Sequence, residues 1–289
     1  MPVVWRRSED APTSQVLTRR PALKVQKNVE GELNLETFIK QRTKVMLNEP
    51  ILIAGFPGLG YVGKITVAYM SRQLGAKRLA ELYSPYFPYH VITTRGGGIR
   101  LPRAQFHFFK NPKGHDLVFC TSDSQAQSLE GQFEVVEKLL NYSKSIGVKT
   151  IITIGGYSSK AGQQPKAVCI ANDRKLLNRV LSAGAEASPF GNPIVGLSGV
   201  TLGLAELMNI EAACILGETI GHLPDPESAK QVLTVLEHFL DISLDLGPLD
   251  KEIERAMGVF KRMEDVQKEM EGFTKETLEK EARKMTYIS

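Results

Sequence analysis

A short apolar run, Ile51-Leu52-Ile53-Ala54, leads straight into Gly55-Phe56-Pro57-Gly58-Leu59-Gly60-Tyr61-Val62-Gly63-Lys64. Consecutive apolar residues are what a strand buried on both faces of a parallel sheet requires. The glycines and Pro57 mark a tight turn. From Lys64 to Leu74 the chain then has helical spacing, and it stops at Gly75. Strand, glycine turn and helix in succession form the opening unit of an α/β fold.

Two phosphate-binding templates overlap in that turn. Gly58-x-Gly60-x-x-Gly63 fits the dinucleotide fingerprint, and Glu81 follows about 20 residues on, where the ribose-binding acid belongs. Gly58-x-x-x-x-Gly63-Lys64 approaches the P-loop, but Ile65 stands where a magnesium-holding Ser or Thr is needed. Gly55, Gly58, Gly60, Gly63 and Lys64 are therefore the candidate ligand loop. Glycine lets backbone approach a ligand closely, and free N–H groups at a helix start attract anions. The same glycines also serve a sharp turn and close helix–strand packing, and both readings stay open.

The rest of the chain continues the pattern. Strands are expected over 78–83, 90–94, 105–110, 116–121, 150–154, 166–171 and 212–218, with a short one near Ile194-Val195. The strand over 105–110 is expected to pair with that over 90–94. The intervening Arg95-Gly96-Gly97-Gly98-Ile99-Arg100 reads as a charged hairpin or an anion-binding turn, with the hairpin preferred. Ser122-Asp123-Ser124 is the expected cap of a helix carrying Phe133, Val136, Leu139, Leu140 and Ile146. Further helices fall at 173–181, 197–208 and 225–240, the last with Asp225 as cap and Pro226 at its first position. Glycine turns follow the first strand, the 150–154 strand and the Ile194-Val195 segment. The ligand crevice of an open α/β sheet lies at such carboxyl ends.

The expected organisation has three parts. Residues 1–47 form a flexible extension with a short helix or edge strand, 48–246 an α/β domain, and 247–289 a helical tail after Gly247-Pro248. In the tail, Ile253, Met257, Phe260, Met263, Val266, Met270 and Phe273 recur every three or four residues among mixed charges, the pattern of an amphipathic helix. Self-association or docking on a partner suits it better than a membrane surface, because acidic residues balance the basic ones.

No catalytic constellation assembles. The five histidines, His90, His107, His115, His222 and His238, are scattered without metal-ligand spacing. Gly196-Leu197-Ser198-Gly199-Val200 resembles a nucleophile elbow but has Val200 in place of the closing glycine. Cys120, Cys169 and Cys214 lack CxxC spacing and read as buried small hydrophobes, which implies a reducing compartment and no zinc site. A net charge of +4 over 289 residues, its excess partly in the first 27, is weak support for nucleic-acid binding. No run approaches the roughly 18 apolar residues of a membrane span, and no apolar signal core opens the chain. A cytoplasmic protein is expected, with no cofactor, no metal and no catalytic residues.

Several separated motifs, in order, resemble the proteasome assembly chaperone family, and its archaeal members in particular. They are Gly55–Lys64, Leu74-Gly75-Ala76, Arg100-Leu101-Pro102, Ile154-Gly155-Gly156-Tyr157, Gly196-Leu197-Ser198-Gly199 and Pro224-Asp225-Pro226. The resemblance implies a phosphorylase/hydrolase-like α/β fold, a single mixed sheet flanked by helices, homo-oligomers and binding to proteasome α subunits or core particle. It implies no established catalysis. Family members can dock through a C-terminal hydrophobic–Tyr–any-residue motif. Here the end is Tyr287-Ile288-Ser289, with the tyrosine third from the end instead of second. The expected partner-binding residues are Met257, Phe260, Met263, Met270, Tyr287, Ile288 and Ser289. The expected function is that of a non-enzymatic chaperone or adaptor for the proteasome. The alternative is an enzyme that binds a nucleotide or phosphorylated metabolite at the glycine loop.

Overall fold

The structure is a computed structural model that describes residues 26–27, 33–34, 36–158, 165–189, 191, 193–221 and 223–249. The chain divides into two units, Met1–Glu36 and Thr37–Ser289. The first holds an antiparallel pair, β1 (Gln26–Lys27) and β2 (Leu33–Asn34), with Gln26 opposite Asn34.

The second unit runs β3 (Phe38–Gln41), β4 (Ile51–Gly55), α1 (Val62–Gln73), β5 (Lys77–Tyr83), β6 (Ile92–Thr93), β7 (Ile99–Arg100), β8 (Ala104–Phe109) and β9 (Leu117–Ser122). It continues α2 (Leu129–Ser145), β10 (Thr150–Ser158), β11 (Ala167–Ala171), α3 (Arg174–Ser182), β12 (Glu186–Ala187), α4 (Leu197–Leu207), β13 (Glu211–Thr219) and α5 (Pro226–Leu240). Nine strands form one sheet in the order β12-β11-β13-β10-β4-β9-β8-β5-β3. The four central strands, β13, β10, β4 and β9, are parallel neighbours. β11 on one side and β8, β5 and β3 on the other pair antiparallel. This is the mixed α/β sheet flanked by helices that the sequence leads one to expect.

The alternation along each central strand explains the layers. Ile51 and Ile53 of β4 join Phe119, Ile152, Ile154 and Ile215 on one face, under α1, α3 and α5. Leu52 and Ala54 join Val118, Cys120, Ile151 and Ala212 on the other, under α2 and α4. Each fully buried large side chain there contributes about 1.5–3 kcal/mol. The helix caps follow from sequence. Asp173 accepts from Leu176 N at 2.7 Å, and Asp225 accepts from Ser228 N at 2.9 Å with Pro226 at the first position.

Several expectations need correction. α2 is capped by Ser128, whose hydroxyl accepts from Gly131 N at 3.0 Å, and not by the 122–124 cluster, because Asp123 is engaged by Arg100 and by the Arg103 N–H. β8 pairs with β5 and β9, while β6 pairs only with β7 in a separate hairpin. Gly155 and Gly156 lie inside β10 instead of ending it, and no strand forms at Ile194-Val195. Phe133 is 54% exposed, on the outer side of α2 and not on its core face. Ahead of residue 48, where a short helix or an edge strand is expected, β3 forms the edge of the sheet; beyond α5, Leu244 and Leu249 pack into the core. No helix among the described residues is long and apolar enough to cross a membrane. Residues 250–289 lie outside the described residues, as do the expected tail contacts Met257, Phe260, Met263, Met270, Tyr287, Ile288 and Ser289 and also His222.

Candidate functional site

The glycine loop sits at the carboxyl end of β4, between longer β10 and β9, where open α/β sheets place ligands. Its glycines are packed against the chain's own atoms. A Cβ at Gly55 would lie 2.1 Å from the Gly63 carbonyl oxygen, and one at Gly63 would lie 2.3 Å from that of Ile154. Together they let α1 rest directly on β4 and β10. Gly60 takes a left-handed conformation, φ 58°, and faces Thr219, whose Oγ1 is 2.5 Å from where a Cβ would be. In a dinucleotide site the glycine in this second position is the one that leaves room for the pyrophosphate. The loop is also tied to the segment before α5: the Asp225 N–H donates to the Gly60 carbonyl at 2.8 Å. Leu59 covers β10, with its carbonyl oxygen 2.2 Å from the Cβ position of Gly156. Gly58 has more space, with Gln125 Nε2 3.7 Å from its Cβ position.

Lys64, in the first turn of α1, points along this wall, and its Nζ donates to the Asp123 carbonyl at 3.3 Å. Burial lowers the ammonium to a pKa of about 8; the Asp123 carboxylate opposes that shift and Arg100 adds to it. Asp123 is itself held by both Arg100 guanidinium nitrogens, one of them at 2.9 Å, and this pairing raises the Arg100 pKa. Gln125 donates to the Pro57 carbonyl and accepts from Leu197 N at 3.0 Å, so one side chain joins the glycine loop to the start of α4. Neither role is legible in sequence, since each joins residues far apart in the chain.

Glu81 does not reach this crevice. In a dinucleotide fold the second strand neighbours the first, but here β9 and β8 separate β4 from β5. Glu81 is fully buried and pairs with Arg42 and Arg103, the latter at 2.7 Å. Burial pushes its carboxyl up, but the Arg42 bond and the Arg103 charge outweigh it and hold the group below its ordinary value.

The other chemistry-bearing residues are apart from one another. Ser198 Oγ donates to the Ile154 carbonyl at 3.0 Å, and the turn before it is packed so that a Cβ at Gly199 would lie 1.9 Å from the Ile194 carbonyl oxygen. Cys120, Cys169 and Cys214 are buried, and burial drives all three thiols up, Cys169 and Cys214 to about 12. His115 Nδ1 lies 3.0 Å from the Glu49 carbonyl and His238 Nδ1 3.2 Å from that of Ala183. His107 lies on β8, its pKa lowered by burial and by Arg78 and Arg103. Among the described residues no group of His, Cys, Asp or Glu converges as a metal site.

Several large apolar side chains are exposed at the carboxyl end of the sheet. Leu59, Val195, Ile220 and Leu223 are exposed around the glycine loop, and Tyr89, Val91, Ile99, Leu101, Leu129 and Phe133 are exposed on the neighbouring 84–103 excursion and α2.

The crystal structure of Pyrococcus furiosus PbaB, described as an archaeal proteasome activator, is similar to this chain at a TM-score of 0.72 and 30% identity, covering 80% of this chain and all, 100%, of that one. The fold is also that of Pyrococcus furiosus PbaA, described as an archaeal homolog of proteasome-assembly chaperone, at a TM-score of 0.65 and 22% identity over 84% of this chain and 98% of that one. An uncharacterized protein of Methanocaldococcus jannaschii, MJ1210, is 28% identical over 223 residues, 77% of this chain and 84% of that protein. A sequence model of the PAC2 family matches residues 52–264, and with most of the folded unit so covered, this chain belongs to the PAC2 family.

Proposed function

We propose that this chain is a non-enzymatic, homo-oligomeric chaperone or adaptor that binds proteasome α subunits, their assembly intermediates or the core particle, in the cytoplasm. The observation that carries the reading is the 30% identity to PbaB, an archaeal proteasome activator, across 80% of the chain. The site geometry supports it. Gly60 faces Thr219 where a nucleotide site needs room, and Leu59, Val195, Ile220 and Leu223 are exposed around the loop. Contact with the proteasome is assigned to the amphipathic tail beyond Gly247, which suits laying an apolar face into a groove.

A binding titration with purified α subunits and core particle tests this. Full-length protein is expected to bind, and protein cut after Leu249, which keeps that buried core residue, is expected to bind on the order of 100-fold more weakly, because an oligomer loses several tethered contacts at once. No binding by the full-length chain to either form overturns the reading. NAD and magnesium-ATP, each at millimolar concentration, are expected to leave the thermal midpoint unchanged. A ligand present at 100 times its Kd would add about 2.7 kcal/mol, so a clear upward shift favours a ligand at Gly55–Lys64 instead.

A further inference from the structure

The excursion between β5 and β8 is an arm with little of its own to rest on. Its only regular structure is the β6–β7 pair, two residues on each side, closed by Thr94 N donating to the Gly98 carbonyl at 2.7 Å. A two-stranded hairpin of this length is marginal in water unless something packs on it. Yet the arm presents its apolar side chains outward: Tyr89 is 88% exposed and Ile99 70%, with Val91 and Leu101 beside them. It is held along β7 by Arg100 on Asp123 and at its base by buried Phe87.

A complementary surface lies on α2. Leu129, 82% exposed, and Phe133 are four residues apart and form an outward apolar ridge. Exposed Glu130 and Glu137 lie beside it, with exposed Lys138 one position further on, and an exposed arginine, Arg95, stands at the tip of the arm. The arm and the ridge thus match in both apolar character and charge, but within one chain neither covers the other. They are close at their bases: Tyr86 packs on Gly131, and Gln127 N donates to the Tyr86 carbonyl at 3.0 Å.

We infer that the 89–101 arm of one copy docks on the Leu129–Phe133 ridge of a second copy of this chain, with Arg95 set against Glu130 and Glu137. The inference rests on the homo-oligomeric part of the proposed function and names its surface. Apolar residues at the centre with opposite charges at the rim are the usual anatomy of such a contact. Because the two halves differ, an arm defect and a ridge defect complement each other in a mixture.

Sedimentation equilibrium of the full-length protein tests this. Ile99→Glu in the arm and Phe133→Glu in the ridge are each expected to weaken self-association about 30-fold or more, as loss of a central hot-spot residue does. Both side chains are exposed, so circular dichroism and the thermal midpoint should match wild type. An equimolar mixture of the two variants is expected to regain association, one intact arm meeting one intact ridge. A monomeric wild type, unchanged self-association of the variants, or a mixture as weak as its components overturns the inference. Variants that keep their mass but lose α-subunit binding would give the surface to the proteasome instead, and also overturn it. Loss of self-association with α-subunit binding absent even in wild type upholds the contact while rejecting the proteasome reading.

Discussion

Gly63→Ala is expected to destabilise the domain by about 3–5 kcal/mol, the upper end for a single substitution. The new Cβ would lie 2.3 Å from the Ile154 carbonyl oxygen and 3.3 Å from the Gly55 Cα. Both are backbone atoms of central strands, so no side-chain rotation relieves the clash. α1 would have to lift from β4 and β10, loosening Val62, Val67 and Met70, which are buried beneath it. Gly203→Ala makes the same chemical change with the opposite sign. Gly203 lies inside α4, and a Cβ there meets nothing within 4 Å. Alanine in an open helix position is expected to stabilise by about 0.5–1 kcal/mol. Urea unfolding of the two variants against wild type measures both. A Gly63→Ala protein within about 1 kcal/mol of wild type would mean that α1 is not seated as described, since overpacking of this kind normally costs more.

The contrast shows what a glycine in a motif does and does not say. Gly58-x-Gly60-x-x-Gly63 marks the strand–turn–helix unit correctly because the backbone there needs residues without a Cβ. The spacing does not say whether the space is taken by a phosphate or by Thr219 and the Ile154 carbonyl. The same limit explains Gly155-Gly156, which reads as a strand end but lies within β10, because what it admits is Leu59 crossing above. Local signals did carry the strands and caps: the 51–54 run, Asp173, and Asp225 before Pro226 all do what their chemistry suggests. Signals that depend on distant partners were not legible. Ser122-Asp123-Ser124 has the composition of a cap, but Arg100, 23 residues earlier, takes the carboxylate. Helical spacing groups Phe133 with Val136 and Leu139, and only the packing of α2 on the sheet shows that Phe133 faces out. β12, two residues at the sheet edge, is too short for any periodicity to mark.

Glu81→Gln is expected to cost about 3–5 kcal/mol, the loss typical when one partner is removed from a buried ion pair. Glu81 is fully buried on β5, with Arg42 and Arg103 on its two carboxylate oxygens and the Tyr83 hydroxyl donating at 3.1 Å. Arg42 is one-third exposed, at 33%, and can turn to water, but Arg103 at 12% would keep a largely unpaired charge. Arg42 also follows edge strand β3, which otherwise holds to β5 through four paired residues and the Phe38–Tyr83 stack at 5.4 Å. The variant should therefore loosen that edge first, and a larger increase in amide exchange over wild type in β3 than in β4 would show it. A Glu81→Met, Arg103→Met double variant is expected to recover much of the loss, because two apolar side chains leave no buried charge behind. The pH dependence has a defined sign. The folded-state pKa of Glu81 lies below its ordinary 4.5, so folding favours the ionised form. Its contribution is fully present above that ordinary value and is lost as pH falls through the lower folded value. The stability gap between wild type and Glu81→Gln should accordingly be constant near neutrality and close below about pH 4.5. A gap that widens on acidification would mean that the carboxylate is not held by its arginines.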